Sequence, residues 1–182
     1  RKPKISKRIS GHSIDERSPE VADRNTFGHW EADTVLGRKR NGEPAVFTIV
    51  ERLTGCYFSI WIDSKTTDGV ASAMEQLKEQ YGEKFSQVFR SITTDNGSEF
   101  AAFSAFENLG TKIYFAHPYS AWERTVNERT NRILRRFLPK GRAIRDYSDE
   151  QILLFADETN ATPRKRLGYR TPEELFELQL DS

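Results

Sequence analysis

Three carboxylates in this chain stand where acids could do chemistry. Asp33 lies inside a run, Trp30 to Leu36, that reads as a strand. Asp95 follows Ser91-Ile92-Thr93-Thr94 and precedes Asn96-Gly97, where a strand gives way to a turn. Glu128 falls within a long helical stretch, with Glu123 as a second acid on the same helix. Singly, each has an ordinary explanation. An aspartate inside a sheet needs a counter-charge or an exposed face, because a buried unpaired charge is costly. Asp-Asn-Gly is a common turn, and a lone helical glutamate is usually solvated. Together they say more. Hard ions such as Mg2+ or Mn2+ take oxygen ligands and keep several waters, so a few carboxylates from separate elements suffice to hold them. Two such ions about 3.5–4 Å apart activate an attacking oxygen and stabilise a leaving one during in-line displacement at phosphorus.

The elements that must position these acids follow from periodicity and turn chemistry. Residues 1–26 are polar, carry Pro3, Gly11 and Pro19, show no period, and read as a basic arm or linker. Trp30 to Leu36, Ala45 to Arg52 and Cys56 to Ile62 read as three strands, rich in β-branched and aromatic residues and joined by turns at Asn41–Pro44 and Leu53–Gly55. Thr66 or Thr67 can cap a helix to about Tyr81, with Val70, Met74, Leu77 and Tyr81 at helical spacing. Phe89 to Thr93 and Lys112 to Phe115 read as further strands around a helix from Glu99 to Leu109. Another helix, Trp122 to Leu138, stops at Pro139 and Gly141. Its buried stripe is expected at Val126, Thr130, Ile133, Leu134 and Phe137, which leaves Glu128, Asn131, Arg132 and Arg135 on another face. Two more helices begin at Ser148 and at Thr171-Pro172. Three antiparallel strands, then alternating helix and strand, then helices, give an α/β order. It matches a ribonuclease H-like five-stranded mixed sheet flanked by helices, formed by residues 27–182.

Composition narrows the function classes. Hydrophobic residues make up 36% of the chain and charged ones 30%, a globular balance. No apolar run approaches the roughly 20 residues that cross a bilayer, so no membrane partner is expected. Cys56 is the single cysteine, which excludes an internal disulfide and a cysteine-built zinc site and suits the cytoplasm. A net charge of +1 conceals an uneven distribution. Basic residues crowd the N-terminus (Arg1, Lys2, Lys4, Lys7, Arg8), the stretch from Arg124 to Arg145, and the run Arg164-Lys165-Arg166. Such patches suit a polyanion such as DNA, or simply a solvated surface. Lacking an initial Met, the chain reads as part of a longer protein.

Gly28-His29-Trp30-Glu31-Ala32-Asp33, Thr94-Asp95-Asn96-Gly97-Ser98-Glu99-Phe100 and Asn127-Glu128-Arg129-Thr130-Asn131 resemble the three acidic motifs of an integrase-core transposase. The closing Pro163-Arg164-Lys165-Arg166-Leu167-Gly168-Tyr169-Arg170-Thr171-Pro172 resembles the tail of the same domain. The nearest group is the bacterial insertion-sequence thirty family, and the likeness runs from about Phe27 to Leu178. It implies a ribonuclease H-like fold with Asp33, Asp95 and Glu128 as the DDE ligands of two Mg2+ or Mn2+ ions, Asp33 bridging both. It also implies hydrolysis at a transposon end to free a 3′-hydroxyl, then attack of that hydroxyl on another phosphodiester, with no covalent enzyme intermediate. The implied partner is double-stranded DNA, held by a homo-oligomer that brings two ends together. Thr125-Val126, Arg129, Arg132 and Thr162 depart from the family pattern, but none removes a metal ligand. The family's N-terminal helix-turn-helix is not among these residues.

Other groups have two readings each. Arg129, Arg132, Arg135, Arg136, Lys140, Arg142 and Arg145 near Glu128, and Arg164, Lys165 and Arg166 from another side, are expected to grip phosphates; a solvated basic face is the alternative. Tyr119 and Trp122 could stack on an unpaired base, although packing is the favoured reading. Asn96 and Asn131 either orient metal waters and phosphates or serve as turn and cap residues. Glu31, on the strand face of Asp33, is expected to support it. His29 and His117 read as structural or DNA-contacting. Two further functions compete with the transposase: a non-catalytic DNA-binding module derived from one, and a ribonuclease H-like nuclease that only hydrolyses.

Overall fold

The computed structural model describes residues 11–38, 40 and 42–182. The basic run Arg1 to Arg8 and the Asn41 position of the first turn lie outside the described residues. In chain order the strands are β1 (His12–Ser13), β2 (His29–Leu36), β3 (Ala45–Glu51), β4 (Tyr57–Ile62), β5 (Ser91–Thr94) and β6 (Lys112–Phe115). The helices are α1 (Pro19–Asp23), α2 (Thr67–Tyr81), α3 (Phe85–Val88), α4 (Thr125–Leu134), α5 (Asp149–Asn160) and α6 (Pro172–Leu180).

The strands form one mixed sheet in the order β1-β6-β5-β2-β3-β4. The expected meander β2-β3-β4 is antiparallel, and β5 and β6 join the free edge of β2 in parallel. The sheet therefore has six strands rather than five. The added one, β1, pairs in parallel with β6 and comes from the stretch read as an arm. Ser13 begins a capping box with Glu16 there, Ile14 is buried, and Val21 on α1 is buried too. Two isolated apolar residues among polar ones carry no period, so residues 11–26 give no sign in sequence of packing on the fold.

Alternation along β2 divides its side chains between two cores. Trp30 and Ala32 face a cluster with Phe47, Ile49, Met74, Phe89 and Phe176, which α2, α3 and α6 close. Trp30 stacks on Phe89 with ring centroids 4.6 Å apart, and its indole N–H donates to the Val88 carbonyl at 2.7 Å. Val35 faces the other cluster, where Val46, Tyr57, Leu134, Ile144 and Ile152 pack beneath α4 and α5. Each fully buried large apolar side chain stabilises the fold by about 1.5–3 kcal/mol. Asp33 and Glu31 share this second face, directly under α4.

Two helices differ from expectation. The segment read as one helix, Glu99 to Leu109, forms two 3-10 stretches, Ser98–Phe100 and Phe103–Leu109. Its aromatic residues Phe100, Phe103 and Phe106 pack against one another. The expected helix Trp122–Leu138 has a 3-10 turn, Ala121–Arg124, leading into α4, and its regular part stops at Leu134. Its buried side chains are Asn127, Thr130 and Leu134, with Leu138 just beyond, whereas Val126, Ile133 and Phe137 are only partly covered. The apolar residues alone point to a stripe rotated away from this one, because a buried asparagine is invisible to a hydrophobic count.

Candidate active site

Strand register puts two of the three acids at one level. In the parallel pair β2–β5, Glu31 lies opposite Thr93. Two residues further along the chain from each come Asp33, within β2, and Asp95, just past the end of β5, where α/β sheets usually bind ligands. The turn after β5 then fixes Asp95. The Gly97 backbone N–H donates to Asp95 Oδ1 at 2.8 Å, and Asn96 Nδ2 donates to the Ala116 carbonyl at 3.1 Å. A Cβ at Gly97 would collide with the Glu99 carboxylate and come within 2.8 Å of Asp95 Oδ1. The Asp-Asn-Gly sequence is thus a turn that aims a carboxylate.

One cation joins the two acids. Arg124 Nη1 lies 3.6 Å from Asp33 Oδ1, and Nη2 lies 3.5 Å from Asp95 Oδ2. Nη1 also donates to the Ala32 carbonyl at 3.2 Å. The side chains of Asp33 and Asp95 are 29% and 37% exposed, enough for a ligand to reach them. Burial pushes the Asp33 carboxyl above its ordinary range; Arg124 opposes that shift and the charge of Asp95 adds to it. Two oxygen-donor acids that repel one another and already share a guanidinium fit a hard divalent cation.

Helix α4 supplies the rest. Asn131 Nδ2 donates to Asp33 Oδ2 at 3.2 Å, while Asn131 Oδ1 accepts from the Tyr57 hydroxyl at 3.1 Å. Glu128 is exposed, four residues after Arg124 and three before Asn131. At 3.6 residues per turn it shares the face of α4 that meets Asp33. Among the described residues, no three His, Cys, Asp or Glu side chains are close enough to hold an ion together.

Glu31 anchors the helix, and its role exceeds the support expected of it. Fully buried, it accepts from Arg52 Nε at 3.1 Å and from the Asn127 backbone N–H at 2.9 Å. Asn127 Nδ2 returns a bond to the Glu31 carbonyl at 3.1 Å. The first turn of a helix has unsatisfied N–H groups and a positive dipole end, so a carboxylate on the sheet floor serves where Arg124, at the N-cap, offers no side-chain cap. Arg52 also donates to the Val21 carbonyl, tying in α1.

Beside Asp95 opens a cleft of about 600 Å3 lined by Lys65, Glu99, His117, Tyr119 and Arg124. Lys65 pairs with Glu99 at 2.9 Å. Tyr119 and Trp122 are 88% and 69% exposed, which corrects the packing reading for both. Glu123 is occupied by the backbone N–H and Nδ1 of His117, at 2.8 and 2.7 Å. His29 is buried and bonds Ser91 Oγ at 2.8 Å, a structural role.

The basic residues separate by position. Arg132, Arg136, Lys140 and Arg142 are exposed. Arg135 donates to the Leu36 carbonyl at 2.9 Å and clamps the end of α4 to the end of β2. Arg145 pairs with Glu43 at 3.1 Å. Arg129, Arg164, Lys165 and Arg166 line a separate cavity. Sequence reasoning missed Arg124 as a site residue. Its spacing from Glu128 and Asn131 was a usable signal, masked by the basic run in which it sits.

The chain is 38% identical over 178 residues to the probable transposase for insertion-like sequence element IS1161 of Streptococcus salivarius, a match covering 98% of this chain and 49% of that protein. It is 34% identical over 170 residues to transposase InsI for insertion sequence element IS30A of Escherichia coli (strain K12), covering 93% and 43%. The chain thus spans about half the length of these curated relatives. In fold it is similar to the catalytic core domain of BIV integrase, with a TM-score of 0.63 at 21% identity over 86% of this chain and 97% of that one. That likeness establishes the ribonuclease H-like arrangement. With residues 23–121 matching the Integrase core domain, the chain belongs to that family.

Proposed function

We propose that this chain is the catalytic core of a DDE transposase, which cleaves DNA at the ends of a mobile element and joins the freed 3′-hydroxyl to target DNA. One observation carries the reading: Asp33 on β2 and Asp95 just past the end of the adjacent parallel strand β5 share a single cation. Asp33, Asp95 and Glu128 would hold two Mg2+ or Mn2+ ions, Asp33 contributing to both. Such ions supply Lewis acidity at phosphorus and lower the pKa of a bound water or hydroxyl. The chain's own residues prepare that chemistry. Asn131 holds one oxygen of Asp33, Gly97 holds one of Asp95, and Glu31 seats the helix that carries Glu128. Arg132, Arg136, Lys140 and Arg142 give exposed positive charge for phosphate contacts. Two ends must be held together for joining, so the working form on DNA is a homo-oligomer, in the cytoplasm.

The test uses duplexes carrying the terminal sequences of the element that encodes the chain, with Mn2+. Asp33→Asn, Asp95→Asn and Glu128→Gln are each expected to lower nicking and joining by more than about a hundredfold, since metal assistance is worth several kcal/mol and each 1.36 kcal/mol is tenfold. Unchanged activity in all three would remove the site assignment. A pre-cleaved end with a free 3′-hydroxyl separates a transposase from a nuclease: only the former joins it to target DNA.

A further inference from the structure

On the side of α4 away from Asp33 lies a cavity of about 450 Å3 whose charge is one-sided. Arg24, Arg129, Arg164, Lys165 and Arg166 all line it. Among the described residues none of the five forms an ion pair with a carboxylate, and residues 1–10 contain no acid that could supply one. A sixth cation, Arg52, has its charge met by Glu31. Cations gathered without counter-ions repel. Burial, and then the nearness of Arg129 and Arg164, hold the Arg166 guanidinium below its ordinary pKa against the opposing charge of Glu51.

Local structure keeps this cluster together. Arg24 adopts a left-handed backbone conformation, φ 58°, at the end of α1, an arrangement that costs a non-glycine residue energy. Its Nη2 donates to Thr125 Oγ1 at 2.8 Å. Arg164 Nη2 donates to the Thr159 carbonyl at 2.9 Å, and Arg166 Nη1 to the Leu53 carbonyl at 3.2 Å. Gly55, φ 76°, leaves room for the Arg166 guanidinium where any Cβ would press on it. Arg129 and Lys165 are exposed and make no such bond. The helical positions of Thr125, Val126, Arg129, Thr130 and Ile133 point opposite to those of Arg124, Asn127 and Asn131. Val126, Ile133 and Pro163 give the cavity an apolar wall.

We propose that this cavity binds the phosphate backbone of DNA at a site separate from the acidic rim, gripping a stretch other than the one presented to Asp33 and Asp95. Paired negative charge is what the five cations lack, and the apolar wall suits a sugar edge between phosphates. A helix with its side chains is about 10–12 Å thick, so α4 stands between the two sites. The volume falls in the range of about 300–1,000 Å3 of small-ligand sites, enough for a nucleotide unit while the rest of the strand runs over the mouth. This rests on the reading of the chain as a DNA-acting enzyme.

The experiment measures binding of a fluorescently labelled duplex of arbitrary sequence, with EDTA present, at salt concentrations between about 50 and 200 mM. The proteins are the parent chain, the double variant Arg129→Ala/Lys165→Ala, Asp33→Asn, and a control pair, Lys84→Ala/Lys112→Ala, whose side chains do not line the cavity. The double variant is expected to bind at least about tenfold more weakly, with a log–log salt slope smaller by about 2, one unit for each phosphate no longer neutralised. Asp33→Asn and the control pair should shift neither quantity comparably. The DNA-free double variant should melt at or above the parent temperature, because repulsion has been removed. Affinity and slope like those of the control pair overturn the proposal. So does unchanged DNA binding with altered self-association in sedimentation, which would place an acidic protein segment in the cavity. Selective weakening in a chain that never nicks or joins DNA would keep this site and reject the catalytic reading. Normal nicking with unaltered binding would do the reverse.

Discussion

Arg124 shows how one guanidinium can hold two neighbouring carboxylates together. Two carboxylates at one level destabilise each other, and a guanidinium between them offsets that. Removing it should therefore be felt most in divalent-free solution. Arg124→Ala is expected to cost about 1 kcal/mol, the upper range for partly exposed ion pairs, which is a melting temperature about 2–4 °C lower for a chain of this size. Added Mg2+ or Mn2+ should stabilise the variant more than the parent, since the ion then meets repulsion that nothing else neutralises. Thermal melts with and without metal check this. Equal metal-induced shifts in both proteins would show that Arg124 does not occupy the cation's place.

At the scale of elements, the decisive piece is the seating of α4 on β2 through Glu31, Arg52 and Asn127. Breaking a buried ion pair from one side leaves a bare charge. Glu31→Ala is thus expected to cost about 3–5 kcal/mol in chemical denaturation. The paired change Glu31→Gln/Arg52→Met should recover much of that loss, since it removes both charges together. Recovery of stability without recovery of nicking would show that the Glu31–Asn127 geometry matters beyond folding. Much of this framework was legible in the chain. The meander β2-β3-β4 and strands β5 and β6 emerge from alternation and turn residues, and the acidic motifs place Asp33 and Asp95 correctly relative to strand ends. Less was legible where polar residues are the buried ones. Asn127 and Glu31 are tied by two hydrogen bonds across 96 positions of sequence, and no local pattern announces such a pair. Strand β1 and the 3-10 stretches escape for a related reason: each is held by packing on the finished sheet rather than by its own periodicity.

Across the whole molecule, His117 links three segments that the sequence keeps far apart. It follows β6, its Nε2 lies 2.9 Å from Asp15 Oδ2 in the turn after β1, and its Nδ1 lies 2.7 Å from Glu123 Oε1 in the turn before α4. The bond to Glu123, and then that to Asp15, raise the imidazole above its ordinary value of 6.5. A raised folded pKa means the native chain holds the proton more tightly than the unfolded one. The stabilisation is therefore complete below 6.5 and is lost as pH climbs through the raised value. His12, raised by its bond to Glu16, adds a slope of the same sign, and buried His29, whose pKa is lowered by burial, adds the opposite one. Subtracting a variant isolates the link: the stability difference between the parent and His117→Gln should shrink as pH rises from about 6 to 8, roughly the span over which histidine titrates. Urea unfolding at a series of pH values measures it. A difference that stays flat across that range would mean His117 bridges the N-terminal segment to the entrance of α4 in its neutral form, and that the bridge responds to nothing in the cell's pH.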